Sequence, residues 1–356
     1  MNKTLALVAP LLLLACGNPA STGQNTDTPK TDSVPAATTG GVVNVYSHRH
    51  YDTDKDLYAL FTKETGIQVN MISADDDDLL ERLQSEGANS PADLIITSDA
   101  GRLGLCKERG FLKPITSSVL EQNVPAHLRD PQGFWFGLTT RARVIAYDKT
   151  KVKPEEVKTY ADLTKPRFKG KLLVRPSENV YNQSLVASMI AHDGADKATA
   201  WCKGIVANLA REPKGSDTDQ LLAIGEGLGQ VTIANSYYIG KLLSSTDPAK
   251  KKAQDVLAVS FPDDNGHGTH VNVSGAGVAA HAKNEANAIK LLEFLSGEEA
   301  QKAFAEGNME FPVRAGIPVN ALLQSWGNFT ADTLDLSLLG KYNADAVKVL
   351  GVAGWR

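Results

Sequence analysis

The segment Gln230-Val-Thr-Ile-Ala-Asn-Ser-Tyr-Tyr-Ile-Gly240 contains the turn around which the rest of the chain can be arranged. Its apolar, β-branched start predicts a short buried strand that ends near residue 235, after which a helix begins. Two adjacent tyrosines, Tyr237 and Tyr238, stand at this strand-to-helix turn, where ligands bind in open α/β sheets. Taken alone, the pair is more typical of ordinary packing, with one tyrosine in the core and one at the surface.

The beginning of the folded region alternates between strand and helix patterns. Residues 42–46, 54–65 and 67–72 predict strand, helix and strand, which is the unit of a parallel sheet. A third strand is predicted at residues 92–97. Residues 133–148 predict a long strand that passes from one lobe to a second, and residues 271–280 predict the strand that returns. The fold class is therefore α/β.

Composition limits the classes of function. The chain has 356 residues, of which 42% are hydrophobic, and this is enough for two domains with cores of their own. Its formal net charge is −4 and it has no basic run, which argues against nucleic acid as a partner. After residue 20, no apolar run approaches the length that crosses a bilayer.

Residues 1–15 predict a lipoprotein signal peptide, with Lys3 as its positive start and an apolar stretch after it. Leu13-Leu-Ala-Cys16 is typical of a lipoprotein cleavage site, at which the cysteine is acylated. We therefore expect a lipid on Cys16 that attaches the protein to a membrane, outside the cytoplasm. An ordinary secretory signal that is cut elsewhere is the alternative. Residues 16–41, rich in small and polar residues, predict a flexible tether.

Two further cysteines, Cys106 and Cys202, each stand in a stretch with a helical pattern. An extracytoplasmic compartment permits a disulfide. Bridging geometry does not follow from sequence, and the two residues fall in different predicted lobes, so we expect two buried free thiols.

The segment Asn265-Gly-His-Gly-Thr-His-Val271 resembles the histidine motif of subtilisin-like proteases. Such a protease also needs a nucleophilic serine and an aspartate that orients the histidine. No Gly-Thr-Ser segment follows in this chain, and two histidines without nearby ligands are weak evidence for a metal site. We therefore expect no enzymatic activity and predict that His267 and His270 lie at the hinge.

Three segments that follow strands carry similar donors: His50-Tyr51, Tyr181 and Tyr237-Tyr238. Four tyrosines and one histidine could close on a single ion. Phenolate is a hard, anionic oxygen donor, and hard donors suit hard ions. A free phenol has a pKa of about 10, so only a strong Lewis acid such as Fe³⁺ ionises several of them near neutral pH. Zn²⁺ sites favour Cys and His, and Ca²⁺ sites favour carboxylates and carbonyls.

Over residues 42–356 the chain resembles the ferric-iron-binding proteins of bacterial iron ABC transporters, in the subclass with one histidine and four tyrosines. Five segments carry the resemblance: Val45-Tyr-Ser-His-Arg-His-Tyr-Asp-Thr-Asp54, Gly137-Leu-Thr-Thr-Arg-Ala-Arg143, Arg175-Pro-Ser-Glu-Asn-Val-Tyr-Asn182, Ala234-Asn-Ser-Tyr-Tyr238 and Asn308-Met-Glu-Phe-Pro-Val313. The resemblance implies that Fe³⁺ is held by His50, Tyr51, Tyr181, Tyr237 and Tyr238. His48, two positions before His50, is an extra histidine. The position of His50 directly before Tyr51 favours His50 as the ligand.

The same resemblance implies a type II periplasmic-binding-protein fold, in which two α/β lobes are joined by two crossing hinge strands. The first lobe would comprise residues 42–137 and 262–311, and the second residues 138–261 and 312–356. The site would lie in the cleft, and hinge bending would close the lobes around the ion. It further implies a receptor, expected to be a monomer, that delivers iron to an ABC permease.

Residues that surround the ligands are also candidates for the site. Four phenolates and Fe³⁺ sum to a negative charge, so nearby arginines are physically sensible, and the candidates are Arg49, Arg141 and Arg143. Ser177 and Asn179, at a predicted helix N-terminus, could hold an accompanying anion.

The same fold could serve a receptor for another small solute, such as thiamine, a polyamine or a small anion. An organic-cation site would use aromatic faces together with carboxylates, whereas this chain offers a histidine and four hydroxyls from three segments. The tyrosine count therefore favours ferric iron.

Overall fold

A computed structural model describes residues 40–49, 51–262 and 266–356, which belong to one compact unit. The predicted signal peptide of residues 1–15, the acylated Cys16, nearly all of the tether of residues 16–41, and the predicted ligand His50 lie outside the described residues.

Nine strands occur in the described part of the chain. The strands predicted near residues 42, 67 and 92 are confirmed, as are the long strand that ends at Asp148 and the returning strand that begins at Val271. The bounds are β1 Val42–Ser47, β2 Gln68–Ser73, β3 Leu94–Thr97, β4 Phe136–Asp148, β5 Leu172–Leu173, β6 Val231–Asn235, β7 Leu257–Ser260, β8 Val271–Val278 and β9 Phe311–Pro312.

Helices pack around these strands. Their bounds are α1 Asp52–Thr65, α2 Asp76–Glu86, α3 Ala100–Glu108, α4 Ser118–Asn123, α5 Val180–Asp193, α6 Ala195–Ala207, α7 Asp217–Gly225, α8 Ser236–Leu243, α9 Lys251–Val256, α10 Glu285–Leu295, α11 Glu298–Asn308, α12 Ala321–Gln324, α13 Ser337–Lys341 and α14 Asn343–Ala353. Short 3-10 turns lie at Gly87–Asn89, Ala126–Leu128, Pro154–Glu156, Tyr160–Thr164, Pro166–Phe168 and Pro248–Lys250.

The sheet follows from the predicted β–α–β opening. β1 pairs in parallel with β2 on one side and with β3 on the other, and β8 then joins β3 antiparallel. The strand order is β2-β1-β3-β8-β4-β6-β5, and β7 and β9 also pair with β4. The carboxyl ends of β1 and β3 therefore lie side by side, which brings the turns that follow them together.

The strand β4 links the two halves of the sheet. Its first part, up to Ala142, pairs with β8, whereas Arg143 to Asp148 pair with β6 and β7. β4 is buried along almost its whole length, which explains the nearly continuous apolar pattern of its sequence. Side chains on one strand can therefore reach into both halves.

A small apolar cluster fixes the helix that carries the tyrosine pair. Ile239 and Leu242 of α8 are buried against Ala142 and Val144 of β4. Burying a side chain such as Ile239 stabilises the fold by about 2 kcal/mol. The larger core cluster extends through the rest of the unit.

One predicted helix is wrong. In the sequence of residues 286–304, Ile289, Leu292, Phe294, Leu295 and Phe304 have the spacing that predicts a single amphipathic helix. In the structure, α10 ends at Leu295 and α11 begins at Glu298. Gly297 separates them in an extended conformation as the residue before α11. Ser296 and Gly297 are poor residues for a helix interior. The apolar pattern continues across the break because each of the two helices buries apolar residues of its own.

Cys106 and Cys202 are both buried and form no disulfide within the described residues, as the sequence predicted. Burial raises the pKa of the Cys202 thiol to about 12. None of the helices in the described part of the chain combines the length and the apolar character that crossing a bilayer requires.

His270, just before β8, makes the stability of the fold depend on pH. It is buried, and burial lowers its pKa to about 4, with Arg143 and His192 adding to the decrease while Asp332 opposes it. Because the unfolded chain takes up this proton below pH 6.5 and the folded chain does not, stability is lost as the pH falls from 6.5 through 4.

When the pH is lowered from about 7.5 to about 4.5, the unfolding free energy of the wild type should fall. We expect the fall in His270→Gln to be smaller by about 2 to 3 kcal/mol, because the substitution removes the group that takes up the proton. Urea denaturation at the two pH values measures this difference. His127→Gln, at an exposed position, is the control and should lose as much stability as the wild type. An equal loss in all three proteins would show that His270 is not buried as a neutral group.

Candidate metal centre

A cavity of about 370 Å³ lies among the turns after β1, β3 and β6 and the amino end of α5. Four of the five predicted ligands line it, namely Tyr51, Tyr181, Tyr237 and Tyr238. The other lining residues are His48, Arg49, Asp75, Ser98, Arg102, Arg175, Glu178, Asn179, Val180 and Lys241. Tyrosines that are far apart in sequence therefore meet at one place.

Two of the segments place tyrosines at helix N-termini. Tyr181 stands in the first turn of α5, where the Asn179 side chain caps the helix by accepting a hydrogen bond from the Tyr181 backbone N–H at 3.2 Å. Tyr237 and Tyr238 stand in the first turn of α8, directly after β6. The positive end of a helix dipole favours an anionic oxygen nearby.

The tyrosine side chains converge. The Tyr237 hydroxyl donates a hydrogen bond to the Tyr181 hydroxyl at 3.3 Å, and the ring centroids of Tyr237 and Tyr238 are 4.3 Å apart. Adjacent residues of a strand point to opposite faces, whereas the helical turn allows this approach. The strand-to-helix position therefore explains how neighbouring tyrosines reach one cavity.

Tyr51 enters the cavity from the other half of the sheet. It is the N-cap residue of α1 and follows the turn after β1. The Lys241 ammonium group, on α8, lies 4.1 Å from the centroid of the Tyr51 ring. Burial lowers the pKa of this lysine, and Glu310 opposes the decrease. Cation–π contact thus links α8 to the amino end of α1.

Burial makes these phenols weak acids. It raises the pKa of Tyr51 and of Tyr237 well above the usual value, and that of Tyr238 to about 12. In each case Tyr181 adds to the increase in pKa, whereas the hydrogen bond to Tyr237 lowers the pKa of Tyr238. At neutral pH the three groups are therefore neutral, and only a cation that acts as a strong Lewis acid can displace their protons.

The three candidate arginines lie against the tyrosine rings. The guanidinium carbon of Arg49 is 5.0 Å from the centroid of Tyr51, that of Arg141 is 5.9 Å from Tyr237, and that of Arg143 is 5.9 Å from Tyr181. All three side chains are 1–3% exposed. A positive charge therefore underlies the phenol rings of three different segments.

Buried carboxylates hold these arginines. Asp54 accepts two hydrogen bonds from Arg49, at 2.9 Å each. Asp217 accepts one from Arg143 Nη1 at 2.8 Å and another from the Asn235 backbone N–H at 3.1 Å. Asp217 thereby fixes an arginine and the residue just before α8 at the same time.

Sequence reasoning did not find several of these residues. Arg175 and Lys241 line the cavity, and Asp54, Asp217 and Glu310 are buried within its arginine network. Arg175, Asp54 and Glu310 stand inside the segments that carry the family resemblance, which was the available signal. Lys241 follows Tyr237 by one helical turn, a spacing that places both on one face.

The remaining candidate residues near the cavity, among them Asn179, Ser177 and His48, have identifiable hydrogen-bond partners. Asn179 lines the cavity as the cap of α5, whereas the Ser177 carbonyl accepts a hydrogen bond from Gln183 Nε2 at 3.2 Å. His48 also lines the cavity, and its Nδ1 lies 2.7 Å from Ser98 Oγ. Within the described ranges, no group of three His, Cys, Asp or Glu side chains is arranged to hold a metal ion. The four tyrosines are thus the largest set of like donors among the residues that line the cavity.

The chain resembles known solute receptors. It matches the family model of bacterial extracellular solute-binding proteins over residues 56–331. It is 50% identical to iron uptake protein A1 of Synechocystis over 95% of this chain and 93% of that protein. It is 26% identical to the major ferric iron-binding protein of Neisseria meningitidis serogroup B over 77% of this chain and 82% of that protein.

Solved structures agree with this similarity. A Trichodesmium protein (IdiA, or FutA) in complex with iron and citrate ligands is similar with a TM-score of 0.85 and 50% identity, over 89% of this chain and 100% of that one. The ferric binding protein from Campylobacter jejuni is similar with a TM-score of 0.84 and 39% identity, over 88% and 100% of the two chains. The fold is accordingly the two-lobed type II periplasmic-binding-protein fold predicted from the sequence.

We expect Asp217→Asn to lower the unfolding free energy by about 3 to 5 kcal/mol, because it leaves Arg143 buried without its carboxylate. Urea denaturation followed by circular dichroism measures the loss. Asp255→Asn breaks an exposed ion pair with Lys251 and should cost less than about 1 kcal/mol. Similar small losses in both variants would mean that Asp217 does not hold the arginine network.

Proposed function

Since the chain belongs to the family of bacterial extracellular solute-binding proteins, we propose that it is a receptor that captures Fe³⁺ in the tyrosine-lined cavity and delivers it to an ABC permease. Two of its relatives are named for iron uptake and for ferric iron binding. The same role outside the cytoplasm, without catalysis, is therefore proposed for this chain.

One observation carries the proposal: four tyrosines from three segments line a single cavity, and the hydroxyls of two of them, Tyr181 and Tyr237, lie 3.3 Å apart. Phenolate oxygens suit a hard, highly charged ion. Three of these groups have raised pKa values, so an ion that ionises them must be a strong Lewis acid. Ferric iron meets both conditions.

We propose that His50 completes the set formed by Tyr51, Tyr181, Tyr237 and Tyr238. Four phenolates with Fe³⁺ and a neutral imidazole carry a net charge of −1. The arginines that underlie the rings supply positive charge to balance it. In this role Arg49, Arg141 and Arg143 act through the tyrosines.

We propose that residues 42–137 with 262–311 and residues 138–261 with 312–356 form the two lobes, which close around the ion. The continuity of β4 across the two halves of the sheet supports a hinge there. In the conformation described, Ser184 Oγ of α5 donates a hydrogen bond to Asp99, in the turn after β3, at 2.8 Å. This contact joins elements of both proposed lobes next to the cavity.

We also propose that residues 1–15 are removed as a lipoprotein signal peptide and that a lipid on Cys16 anchors a monomeric receptor through the tether of residues 16–41. The sequence pattern around Cys16 supports the anchor, and the extracellular nature of the family supports export.

The cavity is less suited to an organic cation such as thiamine or a polyamine. Arg49, Arg102, Arg175 and Lys241 line it, against the carboxylates of Asp75 and Glu178. A polyamine site would reverse that balance, since its ligand is itself positive.

The colour of the loaded protein tests the proposal. Phenolate bound to Fe³⁺ absorbs visible light by charge transfer, so protein mixed with ferric citrate should turn orange-red. The band should fade in the double variant Tyr237→Phe and Tyr238→Phe, with iron bound at least about tenfold more weakly. Tyr342→Phe, outside the cavity, is the matched control and should keep the band. A colourless wild-type protein would refute ferric binding by these tyrosines.

The pH dependence of iron binding tests the donor type. Each neutral phenol must lose a proton to bind Fe³⁺, so the logarithm of the affinity should rise by about four for each pH unit between about pH 7 and 8.5, above the usual pKa of an imidazole. Competition against a chelator of known protonation measures this slope. Carboxylate ligands would already be ionised in that range, so a flat profile would rule out tyrosine ligation.

A further inference from the structure

The segment Asn308-Met-Glu-Phe-Pro-Val313 carries a buried acid to which the proposed ligand set gives no role. Glu310 is 0% exposed. It follows Met309, which ends α11 in the left-handed conformation with φ 57°, an uncommon conformation for a residue other than glycine. A Cβ atom at Gly240 would lie 3.0 Å from the Met309 Cβ, so this turn packs closely against α8.

The Glu310 carboxylate lies between two arginines. Its Oε2 accepts a hydrogen bond from Arg49 Nη1 at 3.2 Å, and its Oε1 lies 3.7 Å from Arg141 Nη2. Asp54 already pairs with Arg49 through two hydrogen bonds. Arg141 otherwise donates to the neutral Ser274 hydroxyl at 2.7 Å, so Glu310 supplies the negative charge that faces Arg141.

The negative charge of Glu310 acts on the tyrosines of the cavity. Burial raises the pKa of Tyr51, and the Glu310 carboxylate is the next cause of the increase. Arg141, which Glu310 faces, lies against the Tyr237 ring. In an interior of low dielectric, a fixed charge acts on groups several ångströms away with little screening.

A fixed negative charge beside an ion favours its more highly charged form. Fe³⁺ and Fe²⁺ held by the same ligands differ by one positive charge, so a nearby carboxylate stabilises the ferric ion more. An arginine at the same place has the opposite effect. The balance between Glu310 and its two arginines therefore affects which oxidation state the site prefers.

We propose that Glu310 is a specificity-determining residue that favours Fe³⁺ over Fe²⁺, because its buried negative charge lies between the arginines beneath Tyr51 and Tyr237. The inference rests on the proposed ferric site. Glu310 would then contribute to the recognition of the ion, although it does not belong to the proposed ligand set.

Glu310→Gln removes the charge and keeps the size of the side chain. The preference for ferric over ferrous iron should fall about tenfold, which for a one-electron couple is a rise of about 59 mV in the reduction potential. The potential is measured on the iron-loaded full-length protein with dye mediators, which donate one electron to the ion, and the charge-transfer band reports the ferric fraction.

Two controls separate charge from position. Glu310→Asp keeps the charge and should stay close to the wild-type potential. Glu298→Gln removes an exposed charge at the start of α11 and should not change the potential. A Glu310→Gln potential equal to or below that of the wild type would overturn the inference.

Arg141→Gln provides an independent test if Glu310→Gln does not fold. Removing this positive charge should lower the potential, and an unchanged or higher potential would contradict the role of the charge balance. A failure of the proposed function would look different: without tyrosine ligation, the wild-type protein would show no charge-transfer band at all. If the band is present but the reduction potential is the same in the wild type and in both variants, the inference is refuted and the ferric site is not.

Discussion

Two buried arginines on the strand that links the halves of the sheet, Arg141 and Arg143, set the constraint that the cavity obeys. A guanidinium group cannot lose its proton, so burying it requires a carboxylate nearby. Glu310 and Asp217, both fully buried, meet this requirement from distant parts of the chain. The arginine–carboxylate network thereby ties β4 to the segments that carry the tyrosines.

The same network gives the cavity its chemistry. The tyrosine rings lie against guanidinium groups, while burial keeps the phenols protonated until a strong Lewis acid enters. The helix N-termini at Tyr181 and Tyr237 add further stabilisation for anionic oxygen. Phenols that stay neutral until a strong Lewis acid ionises them suit a small ion of high charge, which is released again when protons compete for the ligands.

Much of this arrangement follows from short-range sequence patterns. The strands, the tyrosine pair at the strand-to-helix turn and the single Tyr181 are each encoded within a few residues. The Arg49–Glu310 contact joins residues 261 positions apart, so no local pattern could indicate it. Apolar spacing alone does not show the break at Gly297, because the buried residues of α10 are followed closely by those of α11.

The central claim is that tyrosine oxygens bind the ferric ion. Resonance Raman spectroscopy tests it most directly, because excitation in the charge-transfer band enhances the vibrations of the groups bonded to iron. We predict enhanced tyrosinate ring modes that shift when the protein is produced with ring-deuterated tyrosine. A coloured, iron-loaded protein whose enhanced modes do not shift would contradict tyrosine ligation.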